Sequence, residues 1–178
     1  ALWRKLGLDE FFAKQMERGR EAIDWDMMSC VSTIARFCYP SSELAIAERW
    51  IDQTALDDLL GIDIDRINED RLYRTLDEML PCKKALGEHL KQKYGELFGS
   101  RFDLLLYDVT STYFEGAGKG NAQARRGYSR DSRPDCNQVT IALVATAEGL
   151  PLFYEVFDGN RTDVTTVEEI VEAMEKQY

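Results

Sequence analysis

The feature that most constrains the fold of this chain is a change of apolar pattern at Gly99. Before it, apolar residues recur at spacings of three and four, as in the series Leu72, Leu76 and Met79. Such spacing places apolar side chains on one face of an α-helix. We therefore predict a helical N-terminal domain over residues 1–100, with a DNA-binding role as one interpretation.

Three short apolar runs follow the change, and each contains β-branched or aromatic residues. They cover residues 102–109, 139–147 and 150–157. Runs of this length predict strands, and the first two are apolar enough to be covered on both faces. The short turn at Glu148-Gly149 predicts an antiparallel hairpin between the second and third strands.

A helix is predicted to follow the third strand, because Val167, Ile170 and Val171 recur at helical spacing. The order of strand, long loop, strand, tight turn, strand and helix predicts an α+β fold, with a second domain over residues 101–178. One helix covers only one face of a three-stranded sheet. We therefore expect self-association through the uncovered face or edge.

Composition excludes several classes of protein. No stretch approaches the roughly 18 consecutive apolar residues of a transmembrane helix, so no membrane partner is predicted.

The four cysteines, Cys30, Cys38, Cys82 and Cys136, form no C-x-x-C pair, and His89 is the only histidine. These spacings argue against a structural zinc site. Free thiols are typical of a reducing compartment, so a cytoplasmic location is predicted.

Positive charge is concentrated in the long loop predicted between the first two strands, from Glu115 to Asp135. The net charge of the chain is −10, whereas DNA binding draws on positive charge. Loops of this length are uncommon and tend to be functional or disordered. Guanidinium groups and a tyrosine suit a phosphate backbone or an unstacked base, and the alternative is a solvated surface loop. The candidate DNA-binding residues are Lys119, Arg125, Arg126, Tyr128, Arg130 and Arg133.

Asp108 is the candidate metal-binding residue. It is predicted at the end of the first strand, where side-chain alternation gives it one face with Leu106 and Thr110. A carboxylate in an apolar strand is costly to bury unless something compensates its charge. A cation such as Mg²⁺, which prefers carboxylate oxygens, would do so. The alternative is an Asp that caps the strand end or accepts hydrogen bonds from backbone N–H groups.

Two further segments carry weaker signals. Asp163 is a candidate second metal ligand, although an Asp before a helix is more often stabilised by the helix dipole. Arg71, Tyr73 and Arg74 lie on one predicted helix and could contact duplex DNA. Acidic residues flank them, so a solvated helix face is the simpler interpretation.

Four blocks of the second half resemble the insertion-sequence transposases of the DDE class, and they occur in the family's order. Two N-terminal segments, LWRKLGL and DRLYRTLD, are similar to the same family, so the resemblance covers nearly the whole chain. The four blocks are YDVTSTYF at 107–114, GYSRDSRPD at 127–135, GLPL at 149–152 and EVFDGN at 155–160.

The resemblance implies a helical region followed by an RNase H-like catalytic core, of which this chain holds the first part. It implies that Asp108 is the first acid of an Asp-Asp-Glu set that binds two Mg²⁺ or Mn²⁺ ions. The parent reaction would be metal-dependent cleavage and joining of transposon ends and target DNA. The family often has His at the position of Ser132, so no role is carried over to that residue.

The resemblance also implies that the second Asp and the Glu follow this segment, so the chain by itself is expected to be inactive. One alternative is a catalytically inert DNA- or protein-binding module derived from a mobile element. A third possibility is another RNase H-like nuclease, which the residues present do not distinguish from a transposase.

Overall fold

The computed structural model describes residues 1–102, 105–116, 118–128, 132–161 and 167–172. The chain forms two compact units, Ala1–His89 and Leu90–Tyr178. The first is helical and the second contains an antiparallel sheet, so the fold class is α+β. The predicted domain boundary near residue 100 remains a prediction. Within the described ranges, no helix is long and apolar enough to cross a membrane.

Seven α-helices lie within residues 1–102, before the sheet. Helix α4 continues into a π-helical turn, Ile46–Trp50, and a 3₁₀ turn, Ile51–Gln53, and further 3₁₀ turns occur at Ile64–Arg66 and Leu80–Cys82. The N-cap of α6 is Asn68, whose side chain accepts a hydrogen bond from the backbone N–H of Arg71. The helices are α1 Leu2–Lys5, α2 Leu8–Gln15, α3 Trp25–Cys38, α4 Glu43–Ala45, α5 Leu56–Leu60, α6 Glu69–Met79 and α7 Lys83–Phe98.

Helix α6 joins the main core of the first unit through Leu72, which is 2% exposed. Its neighbour on the buried face is Thr75, whose hydroxyl donates to the backbone carbonyl of Arg71 and so needs no other partner. The predicted apolar stripe of α6 is wrong at Leu76, which is 42% exposed. The buried face of α6 is therefore narrower than the spacing of its leucines predicts.

The described residues of the second unit form three strands in the order β1-β2-β3, with both pairs antiparallel. Strand β1 is Leu105–Tyr113, β2 is Gln138–Thr146 and β3 is Pro151–Asp158. The predicted hairpin between β2 and β3 is confirmed, and Gly149 in its turn has φ +85°, a conformation that favours glycine. Residues 167–172 are helical, as predicted, and form the described part of helix α8.

One face of the sheet is covered, whereas the other, called the open face, is exposed at β1, Leu143 and Tyr154 and buried at Val139. Val109, Ala142, Val144 and Phe157 pack with Ile170 of α8 in a buried cluster on the covered face. Alternate residues of β1, which include Leu106, Asp108 and Thr110, are exposed on the open face. The prediction that β1 is buried on both faces is therefore wrong, whereas the predicted alternation around Asp108 is confirmed.

The contrast between two leucines of α6 gives a stability test of this core. We expect Leu72→Ala to lower the free energy of unfolding by about 2–5 kcal/mol, because it removes a buried side chain and leaves a cavity. Leu76→Ala, on the exposed side of the same helix, should change it by about 0.5 kcal/mol or less. Urea unfolding followed by circular dichroism measures both. Equal losses would contradict the described core.

Candidate functional site

Asp108 lies in the middle of β1 and not at its end. The strand continues to Tyr113, and Asp108 pairs with Leu143 of β2. Its side chain is exposed on the open face. This corrects the reasoning from sequence, because an exposed carboxylate carries little of the desolvation cost that a cation would offset. The position of Asp108 is therefore compatible with a metal ion but does not require one.

The surroundings of Asp108 on the open face are mixed. Leu106 and Thr110 flank it along β1, while Leu143 and then Tyr154 lie beside it across the sheet. A second carboxylate, Asp158, belongs to a row four positions further along, about 13 Å away at the rise of a β-strand. Within the described residues, no group of three or more His, Cys, Asp or Glu side chains could hold a metal ion.

The long loop between β1 and β2 is anchored to the sheet along part of its length. Arg125 forms an isolated antiparallel bridge with Gln138, through backbone hydrogen bonds of 3.0 and 2.9 Å. The Gln123 amide donates to the Val156 carbonyl of β3 at 2.7 Å. The backbone N–H of Gly159 donates to the carbonyl of Gln123 at 3.1 Å. This part of the loop therefore extends the sheet beyond the end of β3.

Gln138 holds the loop with its side chain as well as its backbone. It is 2% exposed, and its Nε2 donates to the backbone carbonyls of Tyr128 and Gly159, each at 2.8 Å. Both hydrogens of the amide are thus used inside the protein, which offsets the cost of burying it. Gln138 fixes the segment Arg125–Tyr128 at both of its ends.

Two glycines permit this arrangement. A Cβ on Gly127 would lie 2.0 Å from the carbonyl oxygen of Gly159. A Cβ on Gly159 would lie 2.0 Å from the carbonyl oxygen of Gln138 and 2.5 Å from that of Arg125. These atoms belong to backbone, which cannot rotate away as a side chain can. The loop, the start of β2 and the end of β3 therefore meet closely only because glycine occupies both positions.

Arg133 closes the other side of the loop. Its guanidinium lies over the ring of Tyr113 at 5.0 Å and donates to both carboxylate oxygens of Asp135, at 3.0 and 3.1 Å. These hydrogen bonds lower the pKa of the Asp135 carboxyl to about 2 and raise the pKa of the guanidinium. Arg133 also contacts the Cys136 sulfur at 2.9 Å. The Arg133 side chain is therefore fixed by these contacts, whereas the side chains of Lys119, Arg125 and Arg126 are exposed.

The predicted DNA-binding residues fall into three groups. Lys119, Arg125, Arg126 and Tyr128 are exposed. Arg133 is half-buried in the contacts just described. Arg130 lies outside the described residues, so its prediction is not addressed by the structure.

The fold does not place Asp108 next to the basic residues of the long loop between β1 and β2. Arg125 lies opposite Gln138, and Arg133 stacks on Tyr113, so both are associated with residues of the covered face. Asp108 lies on the open face, five residues before Tyr113 along β1, or about 17 Å. A ligand that contacts both would have to extend around the end of the sheet.

The weaker candidates have separate outcomes. Asp163 lies outside the described residues. Arg71 donates to the Ile23 carbonyl at 3.2 Å and lies over the ring of Trp25 at 5.8 Å, so its guanidinium is engaged within the first unit. Tyr73 and Arg74 are exposed, which fits a solvated helix face as well as a recognition surface.

Sequence reasoning missed Gln138, Gly127 and Gly159. The only signal for Gln138 is an amide at the start of an otherwise apolar strand. The glycines carry no signal beyond their positions in a loop and a turn. Their importance depends on contacts between segments more than 20 residues apart, as in the Gln138–Gly159 hydrogen bond.

Comparison of the chain with protein-family models, with curated proteins and with solved structures gives no match.

The glycine contact gives a test of the loop anchor. We expect Gly159→Ala to destabilise the second unit by about 1–3 kcal/mol or more, because its methyl group would overlap two backbone carbonyl oxygens. Gly120→Ala is the control, since a Cβ there meets no atom within 4 Å. Thermal unfolding measures both variants. Equal melting temperatures for the two would contradict the close approach of Gly159 to Gln138.

Proposed function

We propose that this chain is the N-terminal part of a DDE-class transposase and that its second unit begins an RNase H-like catalytic core. The supporting observation is the combination of the ordered sequence blocks with the antiparallel order β1-β2-β3 followed by a helix. Within that arrangement Asp108 occupies the middle of β1 on the open face. The parent protein would cleave DNA and transfer its strands with the help of divalent metal ions.

In this proposal Asp108 is the first of three metal-binding carboxylates. Its exposed position fits a weak site, because Mg²⁺ usually keeps several water ligands and takes one or two carboxylates together with substrate phosphates. The Thr110 hydroxyl lies on the same face and offers a further oxygen. When bound, such ions activate an attacking hydroxyl and stabilise the leaving oxygen. Asp108 would hold and orient an ion, and by itself would not support cleavage.

The basic loop is proposed to contact the DNA backbone. Lys119, Arg125 and Arg126 are exposed, and the Arg125–Tyr128 segment that carries two of them is anchored by Gln138. Arg133 of the same loop lies over Tyr113, which is about 17 Å from Asp108 along β1, and this length corresponds to about five nucleotide steps along one strand. The loop would therefore engage DNA that flanks the position of Asp108, and orient it.

An inert DNA-binding module is the second candidate, and the anchored loop supports it independently of Asp108. Binding requires only the exposed cations and a fixed backbone, both of which the second unit provides. The two candidates share the DNA contact and differ in the role of the carboxylate, so they are tested separately.

The DNA contact is tested with a double variant. We expect Arg125→Ala/Arg126→Ala to weaken binding to duplex DNA and to reduce the slope of log affinity against log salt by about 2, because two phosphate contacts are lost. The matched control is Arg20→Ala/Lys84→Ala, which removes the same charge from exposed positions of the first unit. Fluorescence anisotropy over a range of salt concentrations measures both.

Two results would contradict the DNA contact. Affinity that is independent of salt would exclude an electrostatic contact with phosphates. Equal loss in both double variants would show that only the net charge of the chain matters, and not the position of the loop.

The role of Asp108 is tested with Mn²⁺, whose binding is followed by electron paramagnetic resonance. We expect the free chain to bind Mn²⁺ with a dissociation constant of about 1 mM or weaker, because one carboxylate is a poor site. Duplex DNA should strengthen binding by adding phosphate ligands, and Asp108→Asn should abolish that increase. Asp158→Asn is the control on the same face. An increase that survives Asp108→Asn would favour the inert module.

A further inference from the structure

Tyr128 is unusually exposed for an aromatic residue. Its side chain is 87% exposed, at the end of the segment Arg125-Arg126-Gly127-Tyr128. Aromatic rings contribute more than most side chains to burial and to interfaces, so a ring left almost entirely in water is a candidate contact for a ligand. Arg125 and Arg126 indicate the chemical class of that ligand. Cations beside an aromatic face suit a nucleotide, which combines a phosphate with a flat base.

The backbone beneath the ring is fixed before any ligand arrives. The carbonyl of Tyr128 accepts a hydrogen bond from the side chain of Gln138. The backbone N–H and carbonyl of Arg125 are hydrogen-bonded to the backbone of Gln138. Gly127 lies against Gly159 between these two points. The ring is therefore presented from a pre-ordered segment, which lowers the entropic cost of binding.

The geometry of stacking indicates whether the nucleic acid is single-stranded or double-stranded at this site. A ring that stacks on a base needs the face of that base, and in a duplex both faces are covered by neighbouring base pairs. Unpaired bases expose their faces, and their stacking on aromatic side chains tolerates any sequence. The ring therefore fits an unpaired nucleotide, while the arginines can contact phosphates on either side of it.

A protein partner is a weaker fit to the same surface. Centres of protein interfaces combine aromatic anchors with apolar neighbours. Among residues 118–128, Tyr128 is the single large apolar side chain, and the rest are glycine, alanine, polar or basic. The sequence neighbours of Tyr128 therefore suit a polyanion better than an apolar protein surface.

We propose that the segment Arg125–Tyr128 binds an unpaired nucleotide of DNA, with the base stacked on Tyr128 and the flanking phosphates contacted by Arg125 and Arg126. Gln138 acts as a positioning residue that holds this segment at both ends. The inference rests on the proposed DNA contact and specifies the form of the substrate. Unpaired nucleotides occur wherever a duplex end is opened or a strand is displaced.

The test compares single-stranded and duplex probes. The single-stranded probe is an oligodeoxythymidylate of about 12 nucleotides, within the range that single-strand binding sites cover. We expect Tyr128→Ala to weaken binding of this probe by about 5- to 100-fold, Tyr128→Phe to retain it, and affinity for a duplex of equal length to change less than about twofold. The control is Phe37→Ala, which removes an aromatic ring that is similarly exposed, 89% on α3.

A second measurement locates the base directly. A probe with one 5-iododeoxyuridine is irradiated, and the cross-linked peptide is identified by mass spectrometry. We expect the cross-link at Tyr128, and we expect Gln138→Glu to reduce it, because a carboxylate has no N–H to donate to the two carbonyls. Thermal unfolding of Gln138→Glu shows whether the second unit remains folded, and Tyr128→Ala tests the site if it does not.

The outcomes separate this inference from the proposed function. If the unaltered chain binds duplex DNA through Arg125 and Arg126, but Tyr128→Ala binds the single-stranded probe equally well, the stacking site is wrong and the DNA contact stands. If the unaltered chain binds neither probe at low salt, both are wrong.

Discussion

The buried amide of Gln138 is the interaction on which the second unit most depends. Its two donors are directed at carbonyls from the loop and from the end of β3. A buried amide left without partners would cost about 1–3 kcal/mol, so these two hydrogen bonds couple the loop to β2 and to the end of β3. The same requirement explains the glycines at 127 and 159, since any larger residue would separate the carbonyls from the amide.

The sheet separates the two features that point to function. Asp108 is exposed on the open face, whereas the anchor of the loop is built on Gln138 and Tyr113 of the covered face. A DNA duplex bound only at the loop would not contact Asp108, and one bound only at Asp108 would not contact the loop. The proposed function is consistent with this separation only if DNA passes around the end of β1, with the loop as a fixed guide and Asp108 further along.

Sequence patterns predicted the existence and order of the strands better than their details. The hairpin followed from β-branched runs and a glycine turn, which are local signals. The extension of β1 from Thr110 to Tyr113 was missed because its polar alternation resembles a loop until β2 is placed beside it. Leu76 was assigned to the core because spacing defines a helix face but not its width. The one local signal of Gln138, an amide at the start of an apolar strand, does not reveal its role, because that role is defined by partners distant in sequence.

The distribution of charge narrows how a polyanion could approach this protein. The chain has a net charge of −10, so its field as a whole opposes phosphate, whereas the exposed cations of the loop, Lys119, Arg125 and Arg126, attract it locally. A uniformly basic protein would bind DNA in many orientations, whereas this one would bind in few. Such orientation would suit a site in which the cations and the carboxylate act at different points on one substrate. A fixed backbone, such as that of Arg125–Tyr128, is then more useful than a flexible one, because the distance between those points must be fixed.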